Sequence, residues 1–169
     1  YRLLARYAAQ AITTGEQGFQ ADINFTINKK NAIMINLADI KQLNGEQLYR
    51  EFYIEYAKKF NDKFKAKGGV QSIFYNQEIY QGKPGHANVK TMTPFIEMNY
   101  KLDKKNSLRM EAQYLETKQD YGSFANIILE WNSSPHYSFA VSDMINTKPF
   151  RYEDNPAPDK VLHYYSIFG

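Results

Sequence analysis

Gly18 to Asn28 reads GFQADINFTIN. Phe19, Ala21, Ile23, Phe25 and Ile27 are apolar, and Gln20, Asp22, Asn24, Thr26 and Asn28 between them are polar. Successive side chains of a β-strand point to opposite faces, so this stretch is a ribbon with one apolar and one polar side. A helix would need apolar spacings of three and four, which are missing. About eleven alternating residues is long for a globular strand and matches the roughly 9–11 that a tilted strand needs to cross a bilayer.

The same period recurs along the chain. Ile33, Ile35 and Leu37 alternate with Met34, Asn36 and Ala38. Leu48, Phe52, Ile54 and Tyr56 oppose Tyr49, Glu51, Tyr53 and Glu55, and Phe64, Ala66, Gly68 and Val70 oppose Lys65, Lys67 and Gln71. Met92, Ile96, Met98 and Tyr100 oppose Thr91, Thr93, Glu97 and Asn99, and Leu108, Met110 and Ala112 oppose Arg109, Glu111 and Gln113. Ile127, Leu129 and Trp131 oppose Asn126 and Glu130, and Tyr137, Phe139 and Val141 oppose Ser138 and Ser142. A weaker strand is expected over Tyr1–Ala11, and a last one begins at His163. Gly68-Gly69 predicts a bulge or a bend, and Pro94, which has no ladder donor, weakens its strand.

The connections add a second regularity. Those near residues 30, 62, 104 and 134 are short, and those near 14, 43, 82, 118 and 152 are expected to be longer. Consecutive antiparallel strands put every second turn at the same end, so one rim is tight and the other loose, as in outer-membrane barrels. Apolar parity also survives each short turn, as Ile27 with Ile33 and Trp131 with Tyr137 show. The fold class expected is all-β: an antiparallel up-and-down meander of about ten strands, forming a transmembrane β-barrel or part of a larger one. Residues 1–169 read as a single domain. With no initiator Met, no signal peptide and an unfinished last strand, the chain reads as a fragment of a longer one.

Bulk properties narrow the classes. The absence of cysteine excludes disulfides and thiolate metal sites, and a net charge of +3 is too balanced to argue for nucleic acid. No run of about 18 apolar residues exists to form a membrane-spanning helix. The mean hydropathy of −0.60 looks soluble, but that index is blind to barrels whose lumen is polar.

On the barrel reading, Glu51, Glu55, Lys65, Lys67, Glu97, Arg109, Glu111 and Glu130 face the lumen. Phe19, Ile23, Phe25, Ile27, Ile33, Ile35, Leu37, Leu108, Met110, Ile127, Leu129 and Phe139 face lipid. Tyr100, Trp131 and Tyr137 lie beside short turns and form an aromatic girdle. Glu55 with Lys67, and Glu97 with Arg109, are expected as diagonal cross-strand pairs worth roughly 0.2–1 kcal/mol. Lys29, Lys30, Lys58, Lys59, Lys63, Lys101, Lys104 and Lys105 cluster at the short turns, where headgroups would meet them. The same alternation is also compatible with a soluble lipocalin-like barrel binding a small apolar ligand, with the apolar face inside.

Little in the sequence points to catalysis. His86, His136 and His163 lack metal-ligand spacing. A hydrolase would have to assemble Ser142, Asp143 and His163, a triple that most chains of this size offer by chance. The loop acids Glu153, Asp154 and Asp159 with Asn155 are oxygen donors suited to calcium but lack the EF-hand spacing. No catalytic residue, metal or cofactor is assigned, and the expectation is a protein that is not an enzyme.

Three stretches carry a resemblance: SLRMEAQYLETKQDYGSF (Ser107–Phe124), PHYSFAVSDM (Pro135–Met144) and YNQEIYQGKPG (Tyr75–Gly85). They resemble an uncharacterised family of outer-membrane β-barrel proteins of the Bacteroidota type. The resemblance implies an outer-membrane location and no assigned reaction. The expected role is a pore, scaffold or partner-binding envelope subunit. Its partners would be membrane lipids and, through long extracellular loops at Gln77–Asn88 and Ile145–Lys160, other envelope proteins or an extracellular ligand.

Overall fold

The computed structural model describes residues 15–86, 88–149 and 161–169. Among them run β1 (Glu16–Asn28), β2 (Asn31–Gln42), β3 (Gln47–Lys59), β4 (Phe64–Tyr75), a short helix α1 (Gln77–Gln81), β5 (Val89–Lys101), β6 (Asn106–Leu115), β7 (Ser123–Ser133), β8 (Tyr137–Lys148) and β9 (Leu162–Phe168). The nine strands form one antiparallel sheet in chain order, β1 to β9. The fold is the expected up-and-down meander. The strand expected over Tyr1–Ala11 lies outside the described residues.

Local chemistry sets the tight end. Asn28 Oδ1 accepts from the Lys30 amide at 2.9 Å. Asn61 Oδ1 accepts from the Lys63 and Phe64 amides at 2.9 and 2.8 Å. Asp103 Oδ1 accepts from the Lys105 and Asn106 amides at 2.7 and 2.9 Å. One Asx device, with lysine two residues on, thus closes three hairpins on the same rim by satisfying amides that the ladder leaves free.

Three local expectations need correction. The connection near residue 43 is not long: β2 runs to Gln42 and β3 begins at Gln47, leaving a tight turn at 43–46. Beside the turn Arg50 Nε donates to Asp39 Oδ2 at 2.7 Å and Gln47 Nε2 to Asp39 Oδ1 at 3.2 Å, and the β2–β3 register shifts once, between Ile40 and Lys41. Of the bulge or bend expected at Gly68-Gly69, the bulge is absent: the β3–β4 and β4–β5 registers run through both glycines without a shift. The segment after Tyr75 is not all loop: α1 starts on an Asn76 cap whose Oδ1 accepts from the Ile79 amide at 3.1 Å, and ends at Gly82 with φ 62°. Pro94 acts as expected. The β5–β6 ladder begins only at Phe95↔Gln113, and beyond the proline a single bridge, Met92↔Glu116, remains.

The two faces of the sheet differ sharply. One face carries rows such as Phe25–Ile33–Tyr56–Gly68–Ile96–Ala112–Ile127, each step a direct cross-strand partner. Its side chains stand open, with Phe19 63% and Phe25 60% exposed. The other face carries most of the charged and amide side chains, the pairs Asp39–Arg50 and Asp143–His163 excepted, and Glu111 and Glu97 there are only 2% and 9% exposed. Gly69 lets a neighbouring ring cross its strand on that face. A Cβ at Gly69 would lie 2.0 Å from the Ile54 carbonyl oxygen and 2.9 Å from Phe95 Cζ. The Phe95 ring therefore passes over the glycine on β4 and stacks on Tyr53 of β3, with centroids 5.7 Å apart.

At the end opposite the Asx turns, the connections 76–88 and 116–122 clasp each other. Buried Asp120 accepts from the Tyr75 hydroxyl and from Lys83 Nζ, both at 3.3 Å. Lys90 N donates to Gln119 Oε1 at 3.2 Å. Beneath them Ala38, Tyr49, Ile73, Tyr75 and Val89 form a small apolar cluster, against which Tyr80 of α1 packs.

Candidate functional site

The buried polar face is held by a ladder of charges that crosses strands β3 to β7. Lys67 of β4 pairs directly with Glu97 of β5 in the register, and its Nζ lies 3.5 Å from Glu55 Oε2 and 3.8 Å from Glu97 Oε2. Glu97 stands directly opposite a second glutamate, Glu111 of β6. Like charges so placed repel, and Arg109 resolves the conflict. Its Nη2 meets Glu97 Oε2 at 3.1 Å and also bonds Glu111, while its Nη1 meets Glu130 Oε2 at 3.2 Å. One planar guanidinium thus serves three carboxylates on three strands, a geometry that lysine's single ammonium does not match.

Each glutamate also takes a neutral donor from its own strand, two residues away on the same face. Tyr49 OH donates to Glu51 at 2.8 Å and Tyr53 OH to Glu55 at 2.7 Å. Asn99, Gln113 and Asn132 amides donate to Glu97, Glu111 and Glu130 at 2.9, 2.6 and 2.6 Å. Gln71 Nε2 adds a cross-strand bond to Glu51 at 2.6 Å. These donors satisfy carboxylate lone pairs that the cations do not reach, which is what burying ionised groups requires. The signal was present in the sequence as Tyr-x-Glu, Glu-x-Asn and Glu-x-Gln in strand context, and the charge-pair reading passed over it.

The structure puts Glu51, Glu55, Lys65, Lys67, Glu97, Arg109, Glu111 and Glu130 all on this one face. The pairs Glu55–Lys67 and Glu97–Arg109 meet, as expected from the sequence, and both are diagonal. Lys65 stands apart from the ladder. The opposite face holds Phe19, Ile23, Phe25, Ile27, Leu108, Ile127, Leu129 and Phe139 exposed, with Ile33, Ile35, Leu37 and Met110 half-buried. Tyr100, Leu108, Trp131 and Phe139 are consecutive cross-strand partners in one row beside the short turns, and Tyr137 follows at the next turn.

A family model, DUF6029, matches residues 1–169. The chain belongs to this family of unknown function. Neither the comparison with curated proteins nor that with solved structures returns a match.

Within this DUF6029 chain the conceivable catalytic triple does not converge. Asp143 and His163 meet on the exposed apolar face, with Oδ2 to Nδ1 at 2.9 Å. Ser142 is the preceding residue on the same strand and is buried on the opposite face. Period two forbids adjacent strand residues from sharing a face, so that triple is dismissed. The loop acids Glu153, Asp154 and Asp159 and most of the loop Ile145–Lys160 lie outside the described residues. Among the described residues no three His, Asp or Glu side chains gather as metal ligands, and no helix is long and apolar enough to cross a membrane.

Proposed function

We propose that this DUF6029 chain belongs in the outer membrane as the wall, or part of the wall, of a β-barrel. Its apolar face would meet lipid and its charged face would line a wet lumen. Its role would be a pore, scaffold or partner-binding subunit of the envelope, with the connections 76–88 and 116–122 at the extracellular end and open to other envelope proteins or an external ligand.

The observation that carries this reading is the inversion of polarity between the faces. In a soluble sheet protein the large apolar side chains pack inside and the ion pairs stay wet. Here Phe19, Ile23, Phe25, Ile127 and Leu129 are half exposed or more while Glu97, Glu111 and Gln113 are buried. A lipocalin-like barrel needs the reverse. The shared rim of Asx turns and the row Tyr100–Leu108–Trp131–Phe139 beside it support the same reading, because aromatic side chains favour the membrane–water boundary. Water cannot satisfy strand edges inside hydrocarbon, so in the bilayer such a sheet must be part of a closed cylinder.

Extraction and gel mobility test the proposal. The expected result is release from membranes only by detergent and a band that migrates differently before and after heating. Recovery of a monodisperse folded chain in buffer without detergent would overturn it.

A further inference from the structure

At the short-turn rim the polar face opens into a hollow of about 470 Å³. Lysines dominate its lining, from the Lys29-Lys30 turn through Lys59 to Lys65 and Lys67, and Glu97 is its one carboxylate. That carboxylate is already shared between Lys67 and Arg109. Lys67 leans to Glu55, and Lys59 Nζ is held by Asp62 at 2.5 Å. Lys59 and Lys65 are direct cross-strand partners on the same face, an arrangement that costs energy through like-charge repulsion. Among the described residues Lys29, Lys30 and Lys65 have no ion pair. The ladder cations Lys67 and Arg109 each meet carboxylates, and among the described residues Lys29, Lys30 and Lys65 do not.

We propose that the hollow is a binding site for a phosphate group, held by Lys65 with Lys29 and Lys30. A multiply charged oxyanion accepts from several ammonium groups together, which is the arrangement that charge-assisted bonds favour. Thr26 lies in the same lining, and its hydroxyl would add a neutral donor. The volume exceeds what a phosphate alone needs and leaves room for the rest of a small phosphorylated molecule or for a lipid headgroup. This inference does not depend on the outer-membrane reading, because the hollow would attract the same group in any solvent.

The test is calorimetric titration of the folded chain in uncharged detergent, with inorganic pyrophosphate in one arm and dihexanoyl phosphatidylglycerol in the other. Saturable one-site binding of either probe supports the site, pyrophosphate alone indicating a soluble phosphate and the lipid alone a headgroup. Lys65→Gln should weaken binding about tenfold, the worth of one charge-assisted hydrogen bond. Lys90→Gln, at the opposite rim, should leave it unchanged. Absence of saturation with both probes, or equal weakening by both substitutions, would overturn the proposal. Should Lys65→Gln fail to fold, acetylation of the wild-type lysines with and without pyrophosphate decides the matter: selective protection of Lys65 supports the site, and unchanged labelling refutes it. The heat-dependent gel shift is read separately, so failure here leaves the membrane proposal standing or falling on its own result.

Discussion

Phe95 occupies the space that a side chain at Gly69 would need. Its Cζ lies 2.9 Å from the position of the missing Cβ, and the ring continues across β4 to stack on Tyr53. The contact joins β3 to β5 over the strand between them. Glycine is required here by close approach, since the Ile54 carbonyl oxygen would be 2.0 Å from an added Cβ.

Gly69→Ala is therefore expected to destabilise the sheet by about 2 kcal/mol, in the range of overpacked core substitutions. Gly45→Ala is a poor control because of its positive φ, whereas Gly68→Ala, whose nearest neighbour is the Phe95 carbonyl oxygen at 3.3 Å, should cost clearly less. Urea unfolding of both variants, followed by tyrosine and tryptophan fluorescence, gives the comparison. Equal midpoints would contradict the close-approach account.

Arg109 carries the next prediction. Removing it leaves Glu97 and Glu111 directly opposed and Glu130 without its cation. Arg109→Ala should cost about 3–5 kcal/mol, as breaking one side of a buried ionic network does. Arg109→Lys should recover only part of this, because one ammonium does not span three carboxylates. Denaturant midpoints for the three proteins should fall in the order wild type, lysine, alanine.

Asp103 supplies a pH dependence at the short-turn rim. The Asn106 side chain, with the Lys105 and Asn106 amides, bonds its carboxylate and holds it below the usual aspartate range. A depressed folded-state value means that the contribution is fully present above the unfolded value of about 3.9 and disappears as pH falls through the folded one. Asp103→Asn keeps the acceptor but not the charge. It should flatten this component of the acid unfolding curve while preserving the hairpin. A variant titrating with the same acid profile as wild type would show that another carboxylate is responsible.

The two faces predict opposite responses to charge. On the membrane reading, Leu129→Lys, between Met110 and Val141, places an ammonium in hydrocarbon and should cost about 2–4 kcal/mol near mid-depth in a bilayer. Lysine at Ser138, exposed beside the turn 134–136, should be nearly neutral. Refolding into lipid vesicles, compared by denaturant titration, measures both. A neutral Leu129→Lys would argue that water, not lipid, touches that face.

At the other end, Asp120 joins two connections that sequence reading treated separately. Asp120→Ala removes the acceptor for Tyr75 and Lys83. The segment 116–122 should then be cut faster by trypsin at Lys118, while the strands stay protected; Lys83 precedes Pro84, a bond trypsin does not cut. Unchanged cleavage rates would mean that the apolar cluster under α1 holds the clasp without the carboxylate.

Much of the fold was legible along the chain because a strand's side chains obey a period of two whatever surrounds them. Phe19 to Ile27 had to share a face, parity had to survive the odd-spaced turns, and Ser142 and Asp143 had to part. The Asx-x-Lys turns are equally local, since Asn28, Asn61 and Asp103 bond amides two or three residues away. Other features required the folded sheet. The stack of Phe95 on Tyr53 over Gly69 brings together residues of three strands. That Arg109 mediates between Glu97 and Glu111 depends on register, and a shift of a single residue would have put them on opposite faces. The Asp120 clasp joins Tyr75, Lys83 and a backbone at φ 57°, groups far apart in the chain whose meeting no periodicity encodes. Sequence by itself determined the alternation of the faces. Tertiary structure decided what each face touches, because contacts between distant strands arise only once the sheet has chosen a register and a curl.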